Sequence, residues 1–140
     1  MRVAAIMVSA DVIDPAGLQA LVMDPGAGAV VLFTGVVRDN DGGRAVTALQ
    51  YEAHPDAAAM LASLVENWGA KHSDVCAVAA AHRVGLLEVG DVAFCAAVSS
   101  AHRAAAFAAC ADLVDLVKAE LPVWKHQQFA DGALEWVGLA

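Results

Sequence analysis

The chain has 140 residues and a formal net charge of -8, with eight Lys and Arg against sixteen Asp and Glu. So few cations exclude a nucleic-acid partner, because binding a polyphosphate depends on many basic side chains that release counterions. At 59% hydrophobic and 17% charged residues, the composition is that of a folded soluble chain rather than a disordered one, and no stretch approaches the roughly 18 apolar residues of a membrane span.

A chain of this length fits one domain covering residues 1–140. Arg2 to Ser9 reads as a strand; its apolar run from Val3 to Val8 is too short for a signal-peptide core, and a cytoplasmic location is expected. Asp14-Pro15 predicts a helix start, with Pro at the first helical position and the helix running to Val22. Gly28 to Arg38 predicts a long buried strand. The turn Asp39-Asn40-Asp41-Gly42-Gly43 then leads to a strand over Ala45 to Tyr51, so the two strands are expected to form a hairpin. Between Pro55 and Trp68 the apolar positions Met60, Leu61, Leu64, Val65 and Trp68 recur at helical spacing. Strands are predicted over Val75 to Val84 and Asp91 to Ser99. The longest helix opens at Ser99-Ser100-Ala101-His102-Arg103 and runs to about Leu121, where Pro122 stops it. Short strands over Val123 to Phe129 and Leu134 to Val137 end the chain. From Gly28 onward the order is strand, strand, helix, strand, strand, helix, strand, strand, which points to an α+β fold with a largely antiparallel sheet and about three helices.

The three cysteines, Cys76, Cys95 and Cys110, lack a C-x-x-C spacing and lie in apolar runs, so buried inert thiols are expected. The five histidines show no paired spacing of the zinc-binding kind, and neither a metal nor another cofactor is expected.

The informative feature is where the scarce cations fall. Two of the three lysines, Lys118 and Lys125, bracket the segment Lys-Ala-Glu-Leu-Pro-Val-Trp-Lys. At 100° per residue, Arg103, Phe107, Ala111, Val114, Lys118 and Leu121 share one helix face, which puts Lys118 on an apolar, buried-facing stripe. Two readings fit Lys118. It is a snorkelling lysine at a helix C-terminus, or a partly desolvated lysine whose pKa is lowered by Lys125, as in a base or nucleophile. At the other end of the helix, Ser99, Ser100, His102 and Arg103 read either as an ordinary capped terminus or as a phosphate site. Arg38, at the end of the longest strand, is a further candidate. The same basic residues would also serve a non-catalytic module that binds a small anion.

Four blocks occur together in order: Phe33-Thr34-Gly35-Val36-Val37-Arg38, His82-Arg83-Val84-Gly85, Ser99-Ser100-Ala101-His102-Arg103, and Lys118 with Pro122-Val123-Trp124-Lys125. In this the chain resembles the large, catalytic subunit of molybdopterin synthase. The resemblance implies an α/β hammerhead fold and a sulfurtransferase of molybdenum cofactor biosynthesis. Such an enzyme converts cyclic pyranopterin monophosphate (precursor Z) into molybdopterin by inserting two sulfurs as a dithiolene. It further implies a homodimer and a small ubiquitin-like sulfur-carrier partner, whose C-terminal Gly-Gly thiocarboxylate brings the sulfur, so the chain's own cysteines need not react. Carried over by position, Lys118 is the essential lysine and acid/base or nucleophilic group, and Lys125 is the second active-site lysine. Arg38, His102 and Arg103, with backbone from Val36 and Val37, hold the pterin phosphate. Positions 126 and 127, usually basic and acidic beside the substrate, are here His126 and Gln127, and Ala140 stands where the family commonly carries an arginine.

Overall fold

The computed structural model describes the backbone of residues 1–139 and the side chains of residues 1–136; Ala140, where the arginine of the resemblance is missing, lies outside the described residues. Strands β1 (Arg2–Ser9), β5 (Val75–Arg83), β7 (Val92–Ser100) and β2 (Ala29–Val36) form a four-stranded sheet in the order β1-β5-β7-β2. Only β1 and β5 pair parallel there; the other pairings are antiparallel. A second sheet holds β3 (Asn40–Asp41), β4 (Arg44–Ala53), β8 (Val123–Phe129) and β9 (Leu134–Leu139) in that order, with β6 (Gly85–Glu88) also paired to β4. All of its pairings are antiparallel. Three helices complete an α+β fold: α1 (Pro15–Leu21), α2 (Ala57–Gly69) and α3 (Arg103–Glu120).

The four-stranded sheet is covered on both faces. Ala77, Ala79 and Ala81 of β5, with Cys95 and Ala97 of β7, pack toward α1 through Leu18 and Val22, whereas Val78, Ala80, Phe94, Ala96 and Val98 join the main core with α2 and α3. Alternate residues serve opposite layers, so these central strands read as unbroken apolar runs. Alanine there lets the helices lie close to the sheet. The indole of Trp68 on α2 donates to the backbone oxygen of Ala109 on α3 at 2.9 Å, and His72 meets Asp112 at 2.7 Å. These contacts tie the two helices into one layer.

Three expectations need correction. The strands predicted over Gly28 to Arg38 and Ala45 to Tyr51 do not pair with each other: β2 lies beside β7 in one sheet and β4 beside β8 and β6 in the other. The turn instead closes a short hairpin of β3 and β4, with Gly42 at φ +60° and Gly43 at φ +88°, backbone angles that favour glycine. Next, the helix begins after Ser99 and Ser100, which end β7 and are fully buried; their hydroxyls donate to the backbone oxygens of Ala77 and Asp74. Finally, the buried face of α3 is Ala106, Ala109, Cys110, Leu113, Val114 and Val117. Of the predicted apolar stripe, Val114 and Leu121 are buried, but Arg103, Ala111 and Lys118 are exposed and Phe107 is 63% exposed. Alanine on every side of the helix leaves its sequence with little amphipathic contrast, and the covering sheet decides which side is inside.

A cationic cavity between the two sheets

Three segments cross from the first sheet and its helix layer into the second sheet: β2 through Val37 to β3, β5 through Gly85 to β6, and α3 through Pro122 to β8. Gly85, at φ +93°, turns the second crossing. Where the three pass one another they enclose a cavity of about 310 Å³. Val36, Val37, Arg38 and Asp41 line it from the first crossing, His82 from the second, and Lys118 and Lys125 from either side of the third. Tyr51, Phe94 and Gln127 close it from the flanking strands.

Of the sequence-predicted site residues, the cavity therefore gathers Val36, Val37, Arg38, Lys118, Lys125 and Gln127. Strand alternation explains the last two. Along β8, Val123, Gln127 and Phe129 are buried and Lys125 is half-buried on the inner side. His126 points the other way and stacks on Trp136 with ring centroids 4.5 Å apart, so it does not line the cavity. Gln127 is 3% exposed and donates from Nε2 to Asp41 Oδ2 at 2.9 Å, holding the β3–β4 hairpin against the cavity. His102 and Arg103 are exposed at the first turn of α3 and are also absent from the lining. Fifteen residues separate Arg103 from Lys118, about 22 Å at 1.5 Å per residue.

Arg38, Lys118 and Lys125 form no ion pair among the described residues; the ion pairs found there are made by Arg44, His54, His72 and Arg83. Burial, and then the charges of Lys118 and Arg38, push the Lys125 ammonium below the ordinary lysine range, with Asp41 acting against them. Three unpaired cations around one partly desolvated space repel one another, and an anion entering it relieves all three. The cysteines are no part of this chemistry. Cys95 and Cys110 are buried and their thiols are pushed up to about 11, first by burial, so neither is a thiolate near neutral pH. Cys76 is partly buried and also lies off the cavity.

Sequence reasoning gave no role to Tyr51, Asp41 or His82. His82 had a signal, since it directly follows the alanine run of a central strand and sits in one of the four blocks. Asp41 had none beyond its turn, because its contact with Gln127 joins residues 86 positions apart.

A family model described as MoaE protein matches residues 8–120. The chain is similar to the molybdopterin synthase catalytic subunit of Thermoplasma volcanium, with 38% identity over 125 residues covering 89% of this chain and 90% of that one. Among solved structures it resembles molybdopterin synthase from Staphylococcus aureus, with a TM-score of 0.87 and 30% identity over 95% of this chain and 96% of that one. It shares its fold with a chain of the complex of subunits 1 and 2 of molybdopterin-converting factor from Helicobacter pylori, at a TM-score of 0.69, 20% identity, and coverage of 97% and 88%. The family-model match over residues 8–120 and 38% identity across most of both chains identify the chain as a member of the MoaE protein family.

Proposed function

We propose that this chain is the catalytic subunit of a molybdopterin synthase, a sulfurtransferase that inserts two sulfurs into cyclic pyranopterin monophosphate to form the dithiolene of molybdopterin. The observation that carries the reading is the convergence of Arg38, Lys118 and Lys125 in one cavity of a chain whose net charge is -8. A phosphorylated pterin supplies the missing negative charge. As thiocarboxylate sulfur attacks and phosphate oxygen leaves, the same cations oppose the charge that develops. Lys118 takes the acid/base or nucleophilic role, and Lys125 is the group for which burial and two cationic neighbours favour proton release.

The sulfur donor is a small carrier subunit with a C-terminal Gly-Gly thiocarboxylate, in keeping with the Helicobacter complex of two subunits and with buried, protonated thiols in this chain. A cytoplasmic setting is the expected one, and among the described residues no helix is long and apolar enough to cross a membrane. The proposed phosphate ligands His102 and Arg103 stand about 22 Å of helix away from Lys118 at 1.5 Å per residue, too far for one pterin to touch both ends of the same α3. A homodimer removes the difficulty, because a second copy then brings its own helix start to the cavity.

The test is synthesis of molybdopterin by the purified chain from cyclic pyranopterin monophosphate and thiocarboxylated carrier. Product is expected with the thiocarboxylated carrier and none with the plain Gly-Gly carboxylate. A chain that binds both components and forms no dithiolene refutes the assignment.

A further inference from the structure

Two polar side chains of the cavity take no part in its charge. His82 is 4% exposed, and its Nδ1 lies 2.8 Å from the backbone oxygen of Arg83. A carbonyl oxygen only accepts, so Nδ1 carries the proton and Nε2 presents a lone pair. Nε2 has no hydrogen-bond partner among the described residues, and no fully buried side-chain nitrogen or oxygen is left without one. Nε2 therefore opens into the cavity that His82 lines. The Tyr51 hydroxyl is placed in the same way: the residue is buried, lines the cavity, and makes no hydrogen bond among the described residues. The two rings meet edge-on with centroids 5.1 Å apart, and Phe94 packs against His82 at 5.9 Å. Neither side chain can swing away without disturbing the core.

Resting on the function proposed above, we propose that His82 and Tyr51 form the uncharged recognition face of the cavity, which reads the N–H edge of the pterin ring while Arg38, Lys118 and Lys125 hold its phosphate. Cations are poor readers of a neutral heterocycle, whose ring N–H and exocyclic amine groups are donors and need acceptors. Nε2 is an obligate acceptor in this tautomer, and the phenol oxygen accepts and donates. Burial, reinforced by the nearby Lys118 charge, disfavours a second proton on His82, and burial also keeps the Tyr51 hydroxyl protonated. A ligand with phosphate but no matching polar edge leaves Nε2 buried and unpaired, which is how hydrogen-bonding sites discriminate more strongly than apolar ones.

The experiment measures equilibrium binding of two probes, cyclic pyranopterin monophosphate and inorganic phosphate, to the whole chain and to His82→Phe, Tyr51→Phe and Lys125→Met, with thermal melting of each. His82→Phe and Tyr51→Phe are each expected to weaken pterin binding about tenfold or more while phosphate affinity stays within about twofold; Lys125→Met weakens both probes. Tyr51→Phe removes a single oxygen, so it decides the matter even where His82→Phe does not fold. Phenylalanine variants that bind the pterin as the wild type does, or that lose phosphate in equal measure, overturn the inference and leave the proposed function standing. A wild-type chain that binds phosphate but no pterin overturns both.

Discussion

At its first turn α3 presents His102 and Arg103, and at its last turn Lys118, followed one strand later by Lys125. By local rules the first end is the better anion site, because exposed N–H groups and the positive end of the helix dipole lie there, whereas the dipole's negative end lies beside Lys118. The cavity is nevertheless at the second end. Arg38 from β2's end, Lys125 from β8 and a wall of strand residues meet there, while the His102 side chain makes no capping hydrogen bond and the residue is exposed with Arg103. The cationic cavity of this chain is made by convergence of distant segments, away from the helix end that a dipole worth about 0.3–1 kcal/mol at an exposed terminus would favour.

The sharpest way to break this contrast is Lys118→Ala. Molybdopterin formation by the assembled enzyme is expected to fall by about 10²-fold or more, the usual scale for removing a group that stabilises developing charge, with the melting temperature unchanged because the side chain is exposed. Undiminished turnover ends the assigned role.

Arg103→Ala tests whether the two ends of α3 meet across a dimer. Alone it is expected to lower turnover about tenfold, the loss of one charge-assisted phosphate contact. Mixing it with Lys118→Ala and allowing subunits to exchange restores about a quarter of wild-type turnover, because half the dimers are mixed and one of their two pockets is intact. No recovery on mixing removes Arg103 from the site.

A smaller effect separates Lys125 from its neighbours. Its pKa is lowered in the free chain, and a bound phosphate favours its charged form, so binding takes up a proton and affinity falls as pH rises through the lowered value. Calorimetry of phosphate binding in buffers of different ionisation heat reads that uptake, which Lys125→Met abolishes. The same lowering means that the unfolded chain holds more protons between the folded value and 10.5. Stability therefore rises with pH across that window in the wild type, and the rise is reduced in the variant.

The smallest effect is expected midway along α3. Cys110 faces the core with a thiol at about 11, so Cys110→Ala leaves turnover unchanged. It lowers the melting temperature by a few degrees, as for a cavity costing about 1 kcal/mol. Loss of sulfur transfer in this variant would give the chain's own thiols a role.

Much of the fold was legible because the signals are local. Pro15 and Pro122 bound helices, and Asp39 to Gly43 marks the tight turn. The strand β6 was missed because Gly85-Leu86-Leu87-Glu88 is too short to show alternation and is held by its pairing with β4. In the candidate site, Lys125 and Gln127 facing one way and His126 the other follow from the two-residue period of a strand already assigned. The outward face of Lys118 was not available in the same manner.

Composition and spacing by themselves determined that cations are scarce, that Lys118 and Lys125 belong to one short segment, and that the elements alternate in an α+β order. Only the tertiary structure decided that β2 and β4 belong to different sheets, that α3 turns its alanine and cysteine side inward, and that His82 and Tyr51 face the cations. The physical reason is that local signals depend on neighbours within a few residues. Burial, pairing and charge convergence depend on segments up to 87 residues apart, such as Arg38 and Lys125, which only the folded chain brings together.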